Sequence, residues 1–118
     1  MVVEDDPDIL ETIAEVLEDD AYRPVLASNG ASALDQLRAA QTKPCVILLD
    51  VMMPIMDGKQ FRAELQKDPA LSEIPVVVLS AHADLDSAAQ QMQAAGFLRK
   101  PVELNALLAT VEQFCGRE

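Results

Sequence analysis

The sequence predicts an α/β fold, a doubly wound five-stranded parallel sheet with five helices on its two faces. Three observations predict it. Five apolar runs alternate with stretches of helical periodicity. Two of those runs, Cys45–Leu49 and Pro75–Leu79, are continuous rather than alternating, the pattern of parallel strands covered on both faces. The length, 118 residues of which half are hydrophobic, suits one domain, 1–118, around one core.

The first strand is Met1–Val3, with only three residues before Glu4. Asp6 reads as a helix N-cap and Pro7 as the first helical residue, after which Leu10, Ile13, Ala14 and Leu17 recur at helical spacing. Tyr22–Ala27 reads as the second strand. It contains Pro24, which cannot donate to a ladder, so it belongs at an edge. Ser28-Asn29-Gly30 opens a second helix with Ala33, Leu34 and Leu37 on one side, and a third starts near Gly58 with Phe61 and Leu65. Asp84 is placed to cap a fourth helix, whose apolar side (Ala88, Ala89, Met92) is small and weakly held. Phe97–Arg99 is the fifth strand. Leu104, Leu107, Leu108, Val111 and Phe114 mark the fifth helix. No repeat, low-complexity tract or linker interrupts this order.

Composition removes several function classes. The formal net charge is −11 and the nine Lys and Arg are scattered, so no nucleic-acid interface is expected. No apolar stretch reaches the length of a membrane span. The opening turns acidic at once, without a basic or long apolar region, so no secretory signal is expected in the chain as it stands. Cys45 and Cys115 have no zinc-like spacing and read as two reduced thiols of a cytoplasmic protein.

The residues that end the apolar runs carry the chemistry. The first run ends in Glu4-Asp5, the third in Asp50, the fourth in Ser80-Ala81 and the fifth in Lys100-Pro101. Parallel strands end at one sheet edge, and ligands bind there at the point where strand order switches. Three carboxylates, a hydroxyl and an ammonium are therefore expected in one place. Crowded carboxylates raise one another's pKa unless a cation neutralises them. Oxygen ligands of this kind suit a hard ion, Mg²⁺ or Mn²⁺. A cation, an ammonium and a hydroxyl are what a transferring phosphoryl group needs around its oxygens. A carboxylate at the centre is then the nucleophile. Taken singly, each residue also has a plainer reading: an acidic helix start for Glu4–Asp6, a turn residue for Asp50, a cap for Ser80, a surface lysine for Lys100. Their ordered placement at four strand ends favours the site.

The same residues resemble the response-regulator receiver domains over essentially the whole chain. Asp50-Val51-Met52-Met53-Pro54-Ile55-Met56-Asp57-Gly58 looks like the family's D-x-x-M-P-x-M-D-G signature, and Val2–Asp6, Val78–Ala81 and Phe97–Pro101 look like its other blocks. The resemblance implies a flavodoxin-like sheet of order 2-1-3-4-5, an order for which a family member is a standard example. It implies a two-component receiver in which Asp50 accepts a phosphoryl group from a phosphohistidine on a sensor histidine kinase or phosphotransfer protein. Asp5, Asp50 and the Met52 backbone carbonyl would hold Mg²⁺, with Glu4 acting through a water. Ser80 and Lys100 would bind phosphoryl oxygens, and a cis bond before Pro101 would aim Lys100. Such a domain promotes its own phosphorylation and dephosphorylation and is not a turnover enzyme on a separate substrate.

The family's switch implies that Ser80 moves toward the new phosphoryl group and that Phe97 turns inward. The face made by the fourth helix, fifth strand and fifth helix then recruits a partner or output domain. Simple core packing is the plainer reading of Phe97. Met52 and His82, two residues past Asp50 and Ser80, are expected to tune the phosphoryl lifetime, with inert loop positions as the alternative. Two departures stand out. The Ser80–Lys100 stretch is short for the family, and Gln93 stands where a glycine is usual. The chain ends just past the fifth helix, so no output domain is expected within it. Two other classes remain open: an interaction module that is not phosphorylated, and a metal-dependent phosphatase with an aspartyl nucleophile. The second usually needs an acid where Met52 stands.

Overall fold

The computed structural model describes residues 1–20, 22–41, 43–50, 58–80, 94–100 and 102–116, with the backbone alone at 58, 59 and 80. Five strands form one parallel sheet: β1 (Val2–Val3), β2 (Leu26–Ala27), β3 (Ile47–Asp50), β4 (Val76–Ser80) and β5 (Gly96–Arg99). Their spatial order is β2-β1-β3-β4-β5. The chain winds outward from β1 to β2, then crosses back to β3, so the switch point lies between β1 and β3. Four helices lie among the described residues: α1 (Pro7–Asp19), α2 (Gly30–Ala39), α3 (Gly58–Lys67) and α4 (Leu104–Cys115). The helix expected around Asp84–Met92 lies outside them, as does the Pro101 bond, so α4 corresponds to the fifth helix expected from the sequence.

Strand side chains alternate between faces, and here both faces are buried, which is why the runs look continuous. Val3, Ile47, Leu49, Val76 and Val78 pack with Leu34 and Leu37 of α2 and Phe61 and Leu65 of α3. Val2, Leu48, Val77 and Leu79 pack on the other side with Ile13 and Leu17 of α1 and Leu107 and Val111 of α4. Each central strand therefore serves two cores.

Local signals set the helix starts. The Asp6 side chain accepts from the Asp8 and Ile9 amides at 2.9 and 3.4 Å, with Pro7 following at the first helical position. Asn29 accepts from the Ser32 amide at 2.8 Å. Gly116 ends α4 at φ +71°, a conformation that favours glycine. The second strand is shorter than the expected Tyr22–Ala27. Pro24 brings no amide to the ladder, and regular pairing is confined to Leu26–Ala27.

The reading of Cys45 and Cys115 as two reduced thiols is overturned. The structure joins them in a disulfide, with Cα atoms 5.3 Å apart across 70 residues of sequence. The cause is topological. Cys45 precedes β3 at the amino edge of the sheet, and α4 returns to that same edge after β5. A cysteine count carries no information about such a long-range meeting.

Candidate functional site

The site is assembled by the carboxyl ends of the strands. Val3 of β1 pairs with Leu49 of β3, so Glu4 leaves β1 beside Asp50, the last residue of β3. Asp50 pairs with Leu79, and Ser80 pairs with Arg99, which puts the end of β4 and Lys100 alongside. Glu4 and Asp50 are buried at 1% and 3% exposure, the two charged residues in the core among the described residues. Burying such groups is costly unless they are paired, and Lys100 supplies the pairing. Its Nζ lies 2.8 Å from Glu4 Oε2 and 3.3 Å from Asp50 Oδ2. The Asp6 amide donates to Glu4 Oε1 at 3.2 Å.

The contact between Lys100 and Glu4 Oε2 is a close ion pair. The proximity is the telling fact, since Coulomb attraction depends little on angle. Burial, aided by the charge of Asp50, raises the Glu4 pKa to about 7, against the opposing pull of Lys100 and the Asp6 amide. Burial also opposes the charge on Lys100, but Glu4 and Asp50 outweigh it, and the net effect is a raised pKa.

Carboxylate oxygens of Glu4, Asp5 and Asp50 lie within 4.8 Å of one another, with Asp5 facing solvent. The residues fit a hard divalent cation: the ligands are all oxygen and they are clustered.

The structure thus brings Glu4, Asp5, Asp50 and Lys100 together and places the Ser80 backbone at the same edge. The side chain of Ser80, and Met52 and His82 altogether, lie outside the described residues. Phe97 is 47% exposed on β5, so it is not a core residue in this conformation. The sequence reading missed the direct pairing of Lys100 with Glu4. Shared strand-end position signals proximity, but it does not say which acid a lysine will meet.

Comparisons with known proteins agree with this architecture. Residues 1–112 match the family model of the response regulator receiver domain. Protein PilH of Pseudomonas aeruginosa is 32% identical over 113 residues, covering 94% of this chain and 92% of that protein. Response regulator Rre1 of Synechocystis is 32% identical and matches all of this chain but 52% of its own length. The chain spans about half the length of Rre1 and of the probable transcriptional regulator ycf29 of Pyropia yezoensis. Among solved structures, the receiver domain of a Syntrophus aciditrophicus signal transduction histidine kinase has TM-score 0.84 and 31% identity, covering 96% of this chain and 86% of that one. The chemotaxis protein CheY4 of Vibrio cholerae has TM-score 0.85 and 26% identity, covering 96% and 94%. The chain belongs to the response regulator receiver domain family, the signal-receiving domains of two-component systems.

Proposed function

We propose that residues 1–118 act as a phosphorylation switch in which Asp50 accepts a phosphoryl group from a phosphohistidine donor on a histidine kinase or phosphotransfer protein. The observation that carries this reading is Lys100 Nζ, 3.3 Å from Asp50 Oδ2 and 2.8 Å from Glu4 Oε2 at the shared strand edge. A carboxylate oxygen of Asp50 attacks phosphorus, the bond from phosphorus to the donor imidazole breaks, and the imidazole leaves with the bonding pair. Lys100 is close enough to Asp50 to transfer its contact to an oxygen of the incoming group. Ser80 donates its hydroxyl to another oxygen.

Asp5 and Asp50, with the Met52 carbonyl, would hold Mg²⁺, and Glu4 would contribute through a water. The cation would supply charge neutralisation for the phosphoryl oxygens. The chain's own part is to fix the nucleophile at the buried end of β3, to supply the lysine and hydroxyl, and to present the exposed Asp5 beside it. Phosphorylation then draws Ser80 toward the phosphoryl group and lets Phe97 turn inward from its exposed position. The face around β5 and α4 changes shape and recruits a partner or output domain. A differential stabilisation of a few kcal/mol suffices for such a shift.

Met52 and His82 set the phosphoryl lifetime in this account, and dephosphorylation rates of Met52→Asn and His82→Ala check it; unchanged rates in both reject that role. The switch is tested by amide NMR with Mg²⁺ and beryllofluoride, an aspartyl phosphate mimic. Shifts around Asp50, Phe97 and α4 that vanish with EDTA support it. A spectrum unchanged by beryllofluoride favours an unphosphorylated interaction module.

A further inference from the structure

We infer that Cys45 and Cys115 form a redox-modifiable site, a dithiol–disulfide pair whose state sets how firmly the last turn of α4 is held to the sheet. The pair lies at the amino edge of the sheet, opposite the acidic cluster, and belongs to no part of the phosphoryl chemistry. Its geometry suits reversible bonding: the Cα atoms are 5.3 Å apart. Its exposure suits exchange, because Cys45 is exposed and Cys115 half-buried.

In this turn Phe114 is half-buried and packs against the core, while Glu112 and Gln113 are exposed. A half-open surface pocket of about 100 Å³ lies beside it, lined by Tyr22, Arg23, Cys45, Val46, Val111 and Cys115 among others. The Tyr22 hydroxyl donates to the Gly116 carbonyl at 3.1 Å, but that bond is exposed. No basic residue lies in the last turn to complement the helix dipole. Deeper anchoring begins one turn earlier, at buried Val111 and Leu107. The covalent link therefore adds to the packing of Phe114 in holding the end of α4.

The exchange partner is a small thiol such as glutathione. Its thiolate attacks the sulfur of Cys45, the more exposed residue of the two, the bond between the two cysteines breaks, and Cys115 leaves as a thiolate that takes up a proton. A second thiol then attacks the mixed disulfide, which frees Cys45 and releases the oxidised small disulfide. Two protein thiols form and two small thiols are oxidised; an excess of the small disulfide drives the reverse.

The test equilibrates the folded protein in glutathione buffers of defined redox ratio, quenches with N-ethylmaleimide and reads intact mass, melting temperature and hydrogen exchange. The expected result is two alkyl groups added together in reducing buffer and none in oxidising buffer. Reduction should lower the melting temperature by about 10 °C, given the long loop that the link closes. Exchange over 104–115 should speed up about tenfold or more on reduction, a shift of about 1.4 kcal/mol in local opening. Cys45→Ser and Cys115→Ser should both show the reduced-like exchange in either buffer. Two alkyl groups added in oxidising buffer would overturn the inference, as would exchange over 104–115 that ignores the redox state. Neither readout involves phosphoryl transfer, so the outcome is separate from the role of Asp50.

Discussion

Replacing Lys100 by Met removes a buried cation while keeping most of the side chain's volume, and its cost should depend on pH. Lys100 Nζ lies 2.8 Å from one carboxylate and 3.3 Å from another, attractions of about 6 and about 5 kcal/mol at an effective dielectric of about 20. Desolvation of the lysine consumes much of that, and stripping one partner from a buried pair typically costs about 3–5 kcal/mol. Glu4 has an escape, since its pKa of about 7 lets it take a proton once the lysine that lowers that pKa is gone. At about pH 8, where Glu4 is mostly ionised in the wild type, we expect the variant to lose about 3 kcal/mol. At about pH 6, where Glu4 is already mostly neutral, the loss should shrink to about half of that. Urea denaturation in EDTA at the two pH values measures both. Equal losses, or no loss at pH 8, would refute the argument that Lys100 compensates an ionised Glu4.

Three further outcomes are expected on the same structural grounds. In EDTA the wild type should lose stability as pH rises from about 5 to about 7, by up to about 3 kcal/mol, because burial raises Glu4 from 4.5 to about 7 and the folded state holds more protons across that window. Urea midpoints across pH, with Glu4→Gln flattening the fall, check it. Asp6→Ala, which removes the cap accepting from two amides of α1, should cost about 1 kcal/mol by urea titration. Phe61→Ala, which empties a fully buried site against β3 and β4, should cost about 3–5 kcal/mol by the same titration.

Much of the fold was legible because two periodicities coincide with two buried faces. Ile47–Leu49 and Val76–Leu79 announce central strands because both of their sides are covered. Asp6-Pro7 and Asn29-Gly30 announce helix starts through chemistry local to those residues. The meeting of Glu4, Asp5, Asp50 and Lys100 was legible at one remove: parallel topology alone gathers strand ends. Contacts that depend on side-chain direction were not. Nothing in the order of residues says that Lys100 lies nearer Glu4 than Asp50, or that Phe97 faces solvent. The bond from Cys45 to Cys115 was invisible for a different reason: it joins the entry to one strand with the end of the final helix, a distance set by the whole tertiary fold.

The most direct measurement is intact mass after incubation with acetyl phosphate. Wild type in Mg²⁺ should gain the mass of one phosphoryl group, while wild type in EDTA and Asp50→Asn in Mg²⁺ should gain none. An Asp50→Asn protein labelled as fully as wild type, or wild-type labelling indifferent to EDTA, would contradict the assignment of Asp50 as a metal-assisted phosphoacceptor.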